Sequence, residues 1–246
     1  MDERKSWDAL VEALCRQIDE WPLGKWVMME ELASMAPDIE FDEDEEQYTI
    51  AGTYGPFSPE DIVEAEVEVQ AHAEEKGLFV DQDFDKGISL HERIDPATEF
   101  DFDEIEYLKL TYEPALLLGG QSEAVYDGES LDVGPKWKNY TGFQGKSAML
   151  DQEGKESLRS LIEEAGVPSW DREYAPIGYM VLDGWGWNLL VRFKGGKVFA
   201  SEGSNAWPET LGLFWEGLFD IVGLDVSNGG ERPEWVCELV GQDDEE

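Results

Sequence analysis

Residues 183–209, DGWGWNLLVRFKGGKVFASEGSNAWPE, hold three tryptophans, five glycines and one proline. Their reading turns on whether the indoles form a binding surface or the inside of a fold. From Trp187 to Phe193 the residues alternate: Trp187, Leu189, Val191 and Phe193 fall on one face and Asn188, Leu190 and Arg192 on the other. That period predicts a half-buried strand. Gly195-Gly196 is a pair that tolerates positive φ, so the spacing predicts a tight turn with Val198 to Ser201 returning as the partner strand. The segment SNAWPE then leads into a helix with Pro208 in its first turn. This helix buries Leu211, Phe214, Trp215, Leu218 and Val222 at spacings of three and four before Gly223 ends it. Trp187 and Trp215 therefore occupy core positions. Trp185 and Trp207 lie in the flanking loops, where they are the candidates for exposure and partner contact. Asp183 and Asn205 read as turn residues, whose side chains bond locally to the backbone.

Working outward, Tyr107 to Tyr112 and Glu123 to Tyr126 are strand-like, and a further strand is placed near Asn139 to Phe143. A helix is predicted from Glu153 to Ala165, with Leu158, Leu161, Ile162 and Ala165 inward and Gly166 closing it. These elements predict an α+β domain over 104–240, an antiparallel sheet with two helices packed on it. The run LDGWGWNLLVRFKGGKVFASEGSNAWPE, preceded by a helix ending in VPSW, resembles an uncharacterised bacterial domain family. Its members carry a W, then DG..W.L.I, then a G.NAYP-like motif before a terminal helix. The likeness covers Asp151 to about Leu224 and, more weakly, reaches back to Tyr107; Trp207 stands where the family has a smaller aromatic. The resemblance implies a fold and no catalytic residue.

The first half, residues 1–95, reads as an acidic, mainly helical module. Ser6 is placed as the cap of a helix running to about Glu20, with Trp7, Leu10, Val11, Leu14 and Ile18 on one face. A second helix spans Met28 to Met35, and a short strand Tyr48 to Gly52. Ser58-Pro59-Glu60-Asp61 then opens a long helix to Lys76: a serine cap, proline in the first position and acids at the positive end of the dipole. Leu78 to Val80 and Ile88 to Leu90 make a hairpin. The order helix, helix, strand, helix, hairpin is similar to that of a winged helix. A DNA-reading winged helix needs a basic recognition helix. Here the third helix carries Glu60, Asp61, Glu64, Glu66, Glu68, Glu74 and Glu75 against Lys76.

Charge restricts the partners. The chain has 57 acidic and 18 basic side chains, a formal net charge of −39. Up to Glu106 there are 32 acids and seven bases, so the charge is concentrated in the first half. Phosphate backbones and anionic membranes repel such a surface, which predicts no direct nucleic-acid or membrane binding. No apolar run approaches the roughly 20 residues needed to span a bilayer, so the expectation is a soluble, cytoplasmic protein. The acidic stretch Asp95 to Glu106 is the expected junction between the halves, and Gln242 to Glu246 an acidic tail.

The sharpest local motif is DQDFDKGISLHE, Asp81 to Glu92. Oxygen donors at its positions 1, 3, 5, 9 and 12 (Asp81, Asp83, Asp85, Ser89, Glu92) approach the calcium loop of an EF-hand. Against that, Lys86 stands where glycine permits the sharp turn, Gly87 comes one place late, and Pro96 precludes an exiting helix. The competing reading is a hairpin turn in an acidic protein. The run Asp42 to Glu46 reads as a solvated loop. Cys15 and Cys237 lack metal-ligand spacing. The two histidines, His72 and His91, accompany no recognised nucleophile motif, and no phosphate loop, nucleotide fingerprint or metalloprotease signature occurs.

Three functions follow as expectations. The leading one is a non-catalytic binding or adaptor protein whose acidic surface, with Glu60, Glu64 and Glu68 at one-turn spacing, engages a basic protein partner without a cofactor. The second is a DNA mimic that occupies the groove of a nucleic-acid-binding protein, for which the one-turn recurrence of Glu60, Glu64 and Glu68 on the long helix supplies the array of acids; the competing reading of that stripe is a solvated face packed from behind by Ile62, Ala65 and Val69. The third is an enzyme whose site forms only in the tertiary fold.

Overall fold

The computed structural model describes residues 3–50, 54–83, 85–113, 121–135, 145–175 and 185–224. The chain divides into two compact units, one formed by the chain up to Arg93 with Gly195–Val198, the other by Ile94–Lys194 with the chain from Phe199 onward. The fold class is α+β. Among the described residues, no helix is long and apolar enough to cross a membrane.

The first unit opens with α1 (Glu3–Asp19), β1 (Trp26–Val27) and α2 (Met29–Met35). The first helix starts one turn before the serine cap expected at Ser6, which is instead buried inside it. A three-stranded antiparallel meander follows, β2 (Ile39–Asp42), β3 (Gln47–Ile50) and β4 (Tyr54–Phe57), of which only the middle strand was legible. The acids 42–46 form its first turn, where the Asp42 carboxylate accepts from the backbone N–H of Asp44 (2.9 Å) and Glu45 (3.3 Å).

The expected long helix is two, α3 (Pro59–Glu64) and α4 (Glu66–Glu75), interrupted at Ala65. Its start follows the sequence: Ser58 and Asp61 form a reciprocal capping box, with Asp61 N–H on Ser58 Oγ at 3.2 Å and Ser58 N–H on Asp61 Oδ2 at 2.7 Å. Ile62, Ala65, Val69 and Ala73 turn inward to join Leu10, Leu14, Ile18, Leu32, Ile88 and Leu90 in the first core. The unit closes with the hairpin β5 (Leu78–Asp83) and β6 (Gly87–Arg93), and β1 adds to β6 on its other edge. Lys197 and Val198 also pair with β6, in parallel, opposite Glu92 and Arg93.

In the second unit the expected junction is structured. It holds α5 (Pro96–Glu99) and a 3-10 turn (Phe102–Glu104), and Phe100 and Phe102 pack against the core. The sheet then runs through β7 (Ile105–Glu113), β8 (Ser122–Tyr126), β9 (Ser130–Pro135) and β10 (Lys146–Met149). After α6 (Gln152–Glu164), a 3-10 turn (Val167–Ser169) and β11 (Glu173–Tyr174) come β12 (Gly186–Phe193), β13 (Lys197–Ser204) and α7 (Leu211–Ile221). The strand order from Phe199 is β13-β12-β7-β8-β9-β10, with β11 parallel to β13. The strand expected near 139–143, Asp183, Cys237 and the residues of the acidic tail lie outside the described residues.

Trp187 and Trp215 are 4% and 0% exposed. Three side chains form a ladder of edge-on contacts: Trp170 meets Trp187 at 5.7 Å and 86°, and Phe214 at 5.6 Å and 89°. Their indole N–H groups are satisfied, Trp187 by the Ala206 carbonyl (2.8 Å) and Trp170 by the Ala165 carbonyl and Thr210 Oγ1 (both 3.1 Å). Pro208 is not in the first turn of α7: it precedes the cap residue Thr210, and its carbonyl accepts from Leu211 N–H at 3.0 Å.

Gly203 lies where the chain passes over the Trp187 indole, and a Cβ there would collide with both Trp187 Nε1 and the Ala206 carbonyl. One collision is with backbone, which cannot swing aside. Replacing Gly203 by Ala should therefore destabilise the protein by about 2 kcal/mol, as overpacking does. Urea unfolding followed by tryptophan fluorescence checks this; a midpoint equal to that of the unaltered chain would refute the close approach.

Candidate functional site

The α3–α4 segment presents two opposite faces. Burial of Ile62, Ala65, Val69 and Ala73 fixes the inner one. Glu60, Glu64 and Glu68 are exposed on the outer side, and none of the three has an ion-pair or hydrogen-bond partner among the described residues. The break at Ala65 divides the set, with Glu60 and Glu64 on α3 and Glu68 on α4. Glu66 is drawn aside, accepting from Gln70 Nε2 (2.9 Å) and Gln82 Nε2 (2.8 Å).

The nearby cations are committed elsewhere. Lys76 Nζ pairs with Asp19 Oδ1 at the end of α1, and His72 Nε2 lies 3.0 Å from the same oxygen. The outer face of α3–α4 is thus left with uncompensated negative charge. It also carries apolar side chains that the sequence reading did not assign: Val63 is 49% and Val67 70% exposed. The signal for them was present, since both fall out of phase with the 62, 65, 69, 73 row that packs inward.

Partial burial alone would raise the Asp19 carboxyl, but hydrogen bonds from Lys76 and His72 and their charges outweigh it and hold the group below the usual carboxylate range. Burial, then the Asp19 charge, push the neighbouring Cys15 thiol up to about 11, which leaves it an inert core group.

The five donors of the calcium-like motif are strung along the β5–β6 hairpin. Asp81 stands opposite Ser89 and Asp83 opposite Gly87, whereas Glu92 stands opposite Leu78, three pairs along and on the other face of the ribbon. Asp83 Oδ1 accepts from Asp85 N–H at 3.0 Å, and Lys86 Nζ sits 3.5 Å from Asp83 Oδ2. Gly87, at φ 85°, is the residue the hairpin needs: a Cβ there would run into the Val27 carbonyl. Among the described residues no group of three or more His, Cys, Asp or Glu is placed to hold one metal ion.

Trp185 and Trp207, the candidates for exposure, are half-buried and packed against the second core. Trp185 meets Tyr112 edge-on at 5.8 Å, and its backbone is clamped by Asn205: Trp185 N–H donates to Asn205 Oδ1 (3.0 Å) and Asn205 N–H to the Trp185 carbonyl (2.9 Å). Asn205, at φ 52°, is a turn residue as read.

The second unit also holds a cleft of about 410 Å³ whose lining includes Phe102, Tyr126, Lys155, Arg159 and Lys194. Arg159 is paired with Asp103 (3.3 Å) and Glu163 (3.1 Å), and Lys194 with Glu104 (3.6 Å). Backbone N–H groups of Ser130 and Glu129 hold the Asp127 carboxyl on its rim below the usual range. The carboxyls that shift among the described residues, Asp19, Asp83 and Asp127, are all lowered and so stay anionic. In comparison with known proteins, the chain matches no family model and no curated sequence.

Because the folded Asp19 carboxyl titrates below its unfolded value, its contribution is present above the ordinary aspartate range near pH 3.9 and is lost as pH falls through the folded value. Asp19→Asn should therefore be less stable than the unaltered chain at pH 7, and the gap between their urea midpoints should close on acidification. A gap that stays constant down to pH 3 would contradict the Lys76–Asp19–His72 arrangement.

Proposed function

We propose that this chain is a non-catalytic binding or adaptor protein whose acidic first unit engages a basic protein partner. The observation that carries the reading is the outer face of α3–α4, where Glu60, Glu64 and Glu68 point to solvent unpaired while Lys76 and His72 are tied to Asp19. Holding like charges one turn apart disfavours a helix by a few tenths of a kcal/mol per pair. Packing of Ile62 and Val69 easily offsets that, so the acids are available to a partner without threatening the fold.

The interruption at Ala65 and the two valines favour a protein partner over imitation of DNA. A phosphate mimic would present charges at regular intervals along one rigid element. The same break in regularity is no obstacle to flexible lysine and arginine side chains, which reach carboxylates from varied positions.

Exposed charges are screened beyond about 8 Å at physiological ionic strength, so binding of this kind weakens steeply with salt. Fluorescence anisotropy of a labelled oligolysine peptide with the full chain should show that dependence. The triple variant Glu60→Gln, Glu64→Gln, Glu68→Gln should bind more weakly at low salt and with a shallower slope. Affinity indifferent to salt, or an unchanged slope in the variant, would overturn the assignment.

A further inference from the structure

Valine at an exposed helical position is neither a good helix former nor a solubilising residue. A lone exposed apolar side chain is ordinary on any protein surface. On α3–α4, however, Val63 at the end of α3 and Val67 and Ala71 on α4 recur every four residues and all three are exposed, which sets apolar side chains on the outer side of both helices across the break at Ala65. Glu60 and Glu64 border this broken seam, and Glu74 continues the acidic border toward the end of α4. Neither packing inside the unit nor helix propensity accounts for apolar residues placed there.

The seam and its borders select the chemistry of an occupant. A second copy of the same face would bring its own glutamates against these, at a net charge of −39 per chain. An anionic lipid surface is repelled for the same reason. A nucleic-acid-binding groove offers cations but no matching apolar strip. What fits both features is a helix with an apolar row flanked by lysine and arginine, laid along the segment as one helix packs on another.

We infer that the α3–α4 face docks a basic amphipathic helix of a partner protein, its apolar row on Val63, Val67 and Ala71 and its cations on the flanking glutamates. This rests on the reading that the acidic unit engages a basic partner and adds the form the partner takes. Charge sets the rate and the salt dependence of the encounter, and the seam supplies a component that salt does not screen.

The test compares two synthetic peptides of identical leucine, lysine and alanine composition on the full chain, by titration calorimetry at low and high salt. In one the leucines fall at i, i+4 and i+7; in the other they are dispersed around the helix. The amphipathic peptide should bind roughly tenfold tighter at high salt, the scale expected for burying two or three small apolar side chains. The double variant Val63→Ser, Val67→Ser should abolish that advantage while leaving the dispersed peptide's low-salt affinity unchanged, and its thermal midpoint should match that of the unaltered chain. If both peptides bind alike, release alike with salt and ignore the valine substitutions, the docking inference falls and the basic-partner reading stands. If neither binds at low salt, the basic-partner reading fails and takes the inference with it.

Discussion

A chain with 57 acidic side chains can fold only if it keeps carboxylates out of its interior, because an ionised carboxylate moved into a low-dielectric core without a partner is prohibitively unfavourable. That constraint governs every element. Among the described residues the buried polar set is Ser6, Ser89, His91, Thr111, Ser122 and Ser201, and it contains no Asp or Glu. Each helix must then hold an apolar row narrow enough to leave the acids outside, as Leu10, Leu14 and Ile18 do in α1 and Leu158, Leu161 and Ile162 in α6. Large side chains make such narrow rows sufficient. The Trp170–Trp187–Phe214 ladder fills with three rings a volume that would otherwise need many smaller residues.

The parts of this fold that the sequence made legible are those where periodicity and capping agree. The strand from Trp187 to Phe193, the row Leu211, Phe214, Trp215, Leu218 in α7, and the Ser58–Asp61 capping box could each be placed from neighbouring residues alone, although Leu190, on the outward face by alternation, is buried as well. The parts that were missed carry little local signal. In β2 only Ile39 is buried, and in β10 no residue is fully buried, so neither strand alternates and their pairing is fixed by neighbours distant in sequence. The break at Ala65 was equally silent, because alanine gives no reason for a helix to stop. Phe100 and Phe102 looked like part of an acidic linker, since the acids around them hid two rings that pack on the core.

The candidate surface was half visible. One-turn spacing picks out Glu60, Glu64 and Glu68, but a reading for charge alone passes over Val63 and Val67, which fall on the same outer side because they are out of phase with the buried row. The calcium-like spacing shows the opposite error. Donors at intervals of two suggest a loop curling round an ion, yet once the chain doubles back as a hairpin Asp81, Asp83 and Ser89 line one face of a flat ribbon while Glu92, three residues beyond Ser89, falls on the other. Linear spacing carries chemical meaning only after the local backbone is known.

The allocation of Gly195–Val198 to the first unit bears on how that unit comes into being. Its own residues are otherwise contiguous and end at Arg93, and Glu92 N–H donates to the Gly196 carbonyl at 3.0 Å. During synthesis the ribosome must extend the chain by about a further hundred residues before the last partner of β6 exists, at roughly 5–20 residues per second. For those seconds β5 pairs the end of β6 on one edge while the edge that will meet Lys197 and Val198 waits, so completion of the first unit cannot precede the synthesis of that distant segment.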